Sequence, residues 1–273
     1  MAYLEINNLY KNFGETEVLR GVSLSVEQGE ILSVIGQSGS GKTTLLRCLN
    51  FLETADRGQI SLNGETLFSR SGDIDNKIKK REKKKKESNS EREKRLNFGL
   101  VFQNYNLFPQ YTVMQNCTLA PLAFLKEKYG DFATSSKERI FADCENVLKK
   151  IGLINKKDSY PCELSGGQCQ RAAIARALAL HPKVLCFDEP TAALDPALTG
   201  TVLNLIRSLK DDGRTIIIVT HDMDFAKNVS DRIAFVCDGK ILETGSPERI
   251  FCNPQTTELK QFLSTGAETE AEL

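Results

Sequence analysis

The sequence predicts an α/β fold in which helices cover a parallel sheet, and three observations predict it. KVLCFDE (residues 183–189) and RTIIIVT (residues 214–220) are short apolar runs of strand type, and between them Pro196 opens a helical pattern to about Lys210. Such strand–helix–strand alternation argues for neighbouring parallel strands. ILSVIG (31–36) is an almost continuous apolar run, the pattern of a central strand buried on both faces. Towards the N-terminus, LEINNLYKNF, EVLRGVSLSV and QISLNGETLF each alternate apolar and polar residues, and Gly14, Gly29, Gly58 and Gly64 punctuate them as short strands.

The 273 residues suit one large domain or a core with a lobe inserted into it. At 40% apolar and 26% charged the chain can fill a large core. Lys+Arg and Asp+Glu are equal at 36 each, which speaks against a surface devoted to nucleic acid. The opening MAYLEINNLYK has neither a basic start nor an apolar stretch, so no secretory signal is expected. The uncharged stretch from Phe98 to Leu125 is too polar to span lipid, carrying Gln103, Asn104, Asn106, Gln110, Gln115 and Asn116, with Pro109 and Pro121 as breaks. Eight scattered cysteines without metal-ligand spacing, most in apolar stretches like Cys186, are expected to be reduced and buried in a cytoplasmic protein.

Two further stretches have their own character. Residues 70–95 hold twelve Lys or Arg against six Asp or Glu and almost no apolar side chain, so they cannot supply a core. They read as a solvated surface insertion, with anionic lipid or nucleic acid as the alternative contact. Farther on, Ser135 and Glu138 have capping-box spacing, and Ile140, Phe141, Cys144, Val147, Leu148 and Ile151 recur at helical intervals until Gly152 stops them.

The sharpest local signal is Gly36-Gln37-Ser38-Gly39-Ser40-Gly41-Lys42-Thr43, followed by Thr44 and placed between the strand ILSVIG and the helix-like TTLLRCLNFL. It fits the phosphate-binding pattern G-x-x-x-x-G-K-[ST]. The glycines let backbone N–H groups converge on phosphate oxygens, and the following helix adds the positive end of its dipole. Lys42 is placed to reach the β- and γ-phosphates and the Thr43 hydroxyl to ligate Mg²⁺. Asp188 and Glu189 emerge at the C-terminal edge of VLCF, where ligands bind in open α/β sheets. Asp188 is expected in the Mg²⁺ shell, and Glu189 as the general base that polarises attacking water.

Leu164-Ser165-Gly166-Gly167-Gln168 ends 20 residues before Asp188. Ser165 and Gln168 form an S-x-x-Q capping box for a helix through QRAAIARALAL, and the two glycines leave its N-terminus open to an anion. With the phosphate loop, this pentapeptide resembles the signature motif of ATP-binding cassette (ABC) ATPases, and the resemblance covers nearly the whole chain in the family's order. It implies that Phe13 stacks on adenine, with Tyr10 as the alternative. Gln103 resembles the Q-loop glutamine, which also contacts the metal. Ala193-Leu194-Asp195 matches the D-loop and His221 the switch histidine, a donor to the γ-phosphate. Cys169 departs from the family's more common glutamine, and the charge of segment 70–95 is atypical.

The resemblance implies a P-loop NTPase (RecA-like) core with an N-terminal antiparallel β subdomain and an inserted α-helical subdomain. The core and β subdomain would take residues 1–103 and 166–264, the helical subdomain 104–165, and a flexible tail 265–273. It also implies a head-to-tail homodimer, in which Ser165, Gly166, Gly167 and Gln168 of one subunit close over ATP held with Mg²⁺ by the other. Phe102, Tyr105, Leu107, Phe108 and Pro109 form a patch for the coupling helix of a membrane permease, or else fill the lobe's own core. LLRCLNFLE, HDMDFAKNVSDRIAF and ETGSPERIFCNPQTTELKQFLS look like ATPase subunits of polar amino acid uptake systems. Those subunits sit on the cytoplasmic face of the membrane, bound to permease subunits served by an extracellular binding protein. An importer or exporter of other cargo, or a soluble ATPase acting on DNA or ribosomes, is the alternative.

Overall fold

The computed structural model describes residues 2–71, 93–129, 134–192 and 195–270. Most of the Lys-rich segment, at residues 72–92, and Ala193-Leu194 of the D-loop lie outside them.

Two sheets organise the described residues. A six-stranded sheet has the order β10-β9-β3-β8-β7-β6. Its strands β3 (Ile31–Ile35), β6 (Phe98–Val101), β7 (Val184–Asp188), β8 (Thr215–Val219) and β9 (Arg232–Cys237) are parallel, and β10 (Lys240–Gly245) closes one edge antiparallel. Every residue of β3 and of β8 is buried, as their uninterrupted apolar sequences require of central strands covered on both faces. A second, antiparallel sheet has the order β2-β1-β4-β5, from β1 (Leu4–Phe13), β2 (Thr16–Val26), β4 (Arg57–Leu62) and β5 (Glu65–Arg70). QISLNGETLF, expected as one strand, is a hairpin: Asn63 and Gly64, at φ 50° and 78°, reverse the chain. This is the Asn-Gly turn that matches strand twist, and it outweighs the simple alternation on either side.

Helix α1 (Lys42–Leu49) packs between the sheets against Leu32, Val34, Ile60 and Val219. It stops three residues short of the TTLLRCLNFL reading, because Asn50 caps it and Phe51 turns left-handed at φ 54°. The lobe between β6 and β7 holds α2 (Val113–Tyr129) and α3 (Thr134–Lys150), joined in one core by Val113, Cys117, Cys144, Leu148 and Ile151. Pro121, read as a break, lies inside α2. A proline there forfeits one backbone hydrogen bond, which the packing of the lobe outweighs. Phe141, placed among the periodic apolar positions of α3, is exposed. The helix ends as foreseen at Gly152, φ 69°, where the Gly152 and Leu153 amides donate back to Lys149 and Leu148. The Ser135 side chain of the expected capping box lies outside the described residues.

Helix α4 (Gly166–Leu178) and α5 (Pro196–Asp211) cover one face of the large sheet, burying Ile174 and Ile206 against Phe187 and Ile218. The short α6 (Met223–Val229) and α7 (Pro247–Cys252) precede the last helix, α8 (Thr257–Glu270), which runs through residue 265, where the sequence reading began a tail. Among the described residues no helix is long and apolar enough to cross a membrane.

Candidate functional site

β3 ends at the phosphate loop, and two of its glycines are there by necessity. Gly36 has φ 152°, and a Cβ on it would sit 2.1 Å from the Val236 carbonyl oxygen. Gly41 has φ 101°, and its Cβ would meet the Val18 carbonyl at 2.8 Å. Gly41 is also the N-cap of α1 and provides no side-chain acceptor, so the first amides of the helix stay available. The Lys42 ammonium donates to the carbonyls of Gly36 at 2.7 Å and Gln37 at 2.8 Å, drawing the loop around itself. Desolvation lowers its pKa, opposed by the charges of Glu189 and Asp188.

The acids lie where the sequence placed them. Asp188 ends β7 and accepts a hydrogen bond from the Thr43 hydroxyl at 3.0 Å. Burial pushes its carboxyl above the ordinary range, against the Thr43 bond and the nearby Arg47 and Lys42 charges. Glu189 follows in a left-handed conformation, φ 51°, uncommon for a residue other than glycine and frequent at functional turns. The turn is pinned by the Glu189 amide on the Val219 carbonyl at 2.8 Å. Glu189 is also joined to His221, whose Nδ1 lies 2.8 Å from Oε2 and whose backbone amide donates to the same oxygen at 3.2 Å. A carboxylate only accepts, which places the imidazole proton on Nδ1 and leaves Nε2 outward on a ring two-thirds exposed.

Sequence reasoning missed the supports of this pair. Asp222 caps α6 through the Phe225 amide at 2.8 Å, and the Thr191 hydroxyl donates to its other oxygen at 3.4 Å. The Glu189 turn and the His221 loop are thereby held together. Asp222 has an N-cap signature in HDMDF that could have been read; Thr191 has no local signal. Arg176 of α4 was likewise missed. It holds the carbonyls of Tyr105, at 2.9 Å, and Asn106, which fixes the segment after Gln103.

A cavity of about 530 Å³ collects Phe13, Val18, Ser38, Gly39, Gly41, Lys42, Thr43, Thr44, Gln103, Glu189 and His221. Gly36, Ser40 and Asp188 lie behind this lining in the loop and at the strand end. Phe13 is 45% exposed beside the cavity with the Lys11 ammonium 4.8 Å from its ring, whereas Tyr10 is covered by the Arg57 guanidinium at 4.5 Å and is not among the lining residues. The residues of the signature are elsewhere. Ser165 caps α4 reciprocally with Gln168: its amide donates to the glutamine Oε1 at 2.9 Å, and the Gln168 amide returns to the serine Oγ at 3.4 Å. None of Ser165, Gly166, Gly167 and Gln168 lines the cavity, and Asp195, the exposed N-cap of α5, does not line it either.

The Thr43 hydroxyl, the Asp188 carboxylate and the Gln103 amide carbonyl are hard oxygen donors at the loop and the adjacent strand ends, a set that fits Mg²⁺ and not a softer metal. The raised Asp188 pKa fits as well, because a half-buried carboxylate with one hydroxyl partner has unused acceptor capacity for a cation.

A profile of the ABC transporter family matches residues 19–192. The glutamine transport ATP-binding protein GlnQ of Bacillus subtilis is 42% identical over 261 residues, 96% of this chain and 98% of that protein. The histidine/lysine/arginine/ornithine transport ATP-binding protein HisP of Escherichia coli is 44% identical over 261 residues, 95% of this chain and 96% of its own length. Among solved structures, cbiO1 from Clostridium perfringens, part of the ABC transporter complex cbiONQ, superposes with a TM-score of 0.75 at 26% identity, covering 98% of this chain and 99% of that one. A dimeric ATP-binding cassette in a post-hydrolysis state, bound to ADP and Pi, gives 0.69 at 30% identity over 89% of this chain and 98% of its own.

Proposed function

This chain belongs to the ABC transporter family and is an ATP-binding, ATP-hydrolysing subunit of that class, and on that premise we propose that it powers uptake of polar amino acids. It works as a head-to-tail homodimer on the cytoplasmic face of the membrane, bound to permease subunits that an extracellular binding protein supplies. The cargo follows from near-full-length similarity to subunits named for glutamine, histidine, lysine, arginine and ornithine transport.

The observation that carries the reading is the division of anion-binding groups between two places. Lys42, Thr43, Asp188, Glu189 and His221 face or back one cavity, while the Ser165-capped helix lies outside it. A second copy, turned head to tail, brings its signature over the open side of that cavity. The Gly166 and Gly167 amides of the first turn then point at the γ-phosphate with the helix dipole behind them. Phe13 stacks on the adenine. The Lys42 ammonium exchanges the Gly36 and Gln37 carbonyls for β- and γ-phosphate oxygens. Glu189 takes the proton of the attacking water, and His221, released from Glu189, donates to the γ-phosphate and holds it in line. Gln103 closes the site from the lobe, and Asp195 sits at the subunit seam. Thr43, Asp188 and Gln103 would hold Mg²⁺, which would supply neutralisation of the phosphate charge.

The aromatic patch divides between the two uses the sequence allowed. Tyr105 and Leu107 pack onto the core, whereas Phe108 stays 42% exposed, with exposed Pro109 beside it and Leu119 37% exposed. That outward half supports docking of a permease helix next to Gln103.

Glu189→Gln tests the reading. ATP still binds, hydrolysis falls by about 10²–10⁴-fold, and ATP-loaded dimers accumulate, as light scattering on a sizing column would register. Full turnover in this variant removes Glu189 from the role. Uptake assays in vesicles carrying the permease, with labelled arginine or glutamine against a metal chelate, test the cargo.

A further inference from the structure

Among the described residues, three side chains carry a buried polar atom without a hydrogen-bond partner: Ser40, Arg232 and Gln170. Ser40 belongs to the phosphate loop, and Arg232 pairs with Glu30 at 3.2 Å. Gln170 is different in kind, because both ends of its amide are unpaired in a residue only 1% exposed. An apolar side chain of the same size would avoid the desolvation cost of that amide.

Its position says what it can reach. Gln170 shares one face of α4 with Ala173, Ile174 and Ala177, at i+3, i+4 and i+7, and those three pack with Val101 of β6, Phe187 of β7 and Val202 of α5. α4 ends at Leu178 and the chain returns as β7 from Val184, so helix and strand run in opposite directions. The lower level is fixed by Gly99, where a Cβ would lie 3.2 Å from the Ala177 carbonyl and 3.1 Å from Leu185. From Ala177 up to Gln170 the helix rises about 10 Å, and about 10 Å along a strand is about three residues. Gln170 therefore sits level with Phe102 on β6's exit and Asp188 on β7, beneath the points where Gln103 and Glu189 leave the sheet.

We infer that Gln170 is a positioning residue whose amide, unpaired in this state, pairs with the peptide groups of those two exits when ATP draws Gln103 and Glu189 onto the γ-phosphate. The inference rests on the ATPase reading above. α4 carries the signature at its first turn, and Arg176 near its end already holds the Tyr105 and Asn106 carbonyls. With Gln170 engaged, the helix that closes over the partner's nucleotide is tied at both levels to the groups that act on the chain's own nucleotide. The two sites of a dimer then close together.

The test uses the full chain with Gln170→Leu, and Gln170→Met as a second apolar replacement of similar size. Replacing an unpaired amide raises the melting temperature of the nucleotide-free protein by about 2–4 °C. At saturating Mg-ATP the same variant loses about tenfold in kcat, the worth of one hydrogen bond made only on closure, with KM for ATP unchanged. In a Glu189→Gln background, the ATP-driven dimer needs about tenfold more protein. Turnover and dimerisation equal to the parent's overturn the inference whatever the melting temperature. So does a melting temperature below the parent's in both variants, which would mean that the amide is already partnered. A parent chain without ATPase activity fails the ATPase reading itself and the inference with it, and that result shows before any Gln170 variant is made.

Discussion

The chain places two helix N-termini where an anion is expected, and they are built in opposite ways. α1 opens from a glycine in the left-handed region with no side-chain cap, in a cavity lined by the phosphate loop and by residues that follow the ends of parallel strands. α4 opens from Ser165, reciprocally capped with Gln168, and none of its first glycines lines that cavity. The uncapped end offers all its first amides to a ligand and relies on the surrounding loop, Lys42 and the strand ends to hold its shape. The capped end keeps its shape alone, so it can be presented on a surface and closed over a nucleotide that another copy holds. A capped terminus suits a site completed in trans, and an uncapped one a site completed by the ligand itself.

Three substitutions sharpen or break that contrast. Lys42→Ala has the largest effect: removing the ammonium that lines the cradle costs about 2–5 kcal/mol of nucleotide binding, so equilibrium titration with ATP shows affinity down by about 30-fold or more. Unchanged affinity would remove Lys42 from the cradle. Ser165→Ala comes next. It deletes the cap, worth about 1 kcal/mol of helix stability, and slows hydrolysis by about tenfold, while nucleotide affinity measured on dilute, monomeric chain stays at the parent's value. A fall in monomer affinity would place the signature in the chain's own site and end the comparison.

Asp188→Asn gives the smallest stability signal of the three and reads the cost of building the cradle. Burial raises the folded-state pKa of Asp188 above its ordinary 3.8, so the folded chain holds that proton more tightly than the unfolded one. Stability therefore falls as pH rises from 3.8 through the raised value, and at neutral pH the ionised group is a net cost. Asparagine keeps an acceptor for the Thr43 hydroxyl without the charge. The variant should melt about 2 °C higher at neutral pH, lose Mg²⁺-dependent turnover, and show a flatter stability profile across that acid range. Functional sites commonly trade stability in this manner.

Wherever one short stretch of chain carries the physics, the sequence was legible. The phosphate loop, the strand-end acids, the Ser165 cap, the Gly152 stop and the buried central strands all state their structure within a few residues. The hairpin at Asn63-Gly64 was written there too, but alternation on both sides masked it. Pro121 misled, because a proline's local penalty is small beside the packing of a whole lobe face.

What the sequence determined by itself is the inventory of chemistry and its order along the chain, since glycines, caps and apolar runs act over a turn or a strand. What only the tertiary structure decided is which of those groups meet. The Glu189–His221 bond joins residues 32 apart, Thr191 and Asp222 brace it from two separate turns, and Arg176 reaches 70 residues back to the segment after Gln103. Gln170 is the extreme case: a buried glutamine in an alanine-rich helix, whose meaning appears only when the register of α4 on β6 and β7 is known. Distances of that kind are set by the packing of the sheet and the helices on it, which no window of sequence contains.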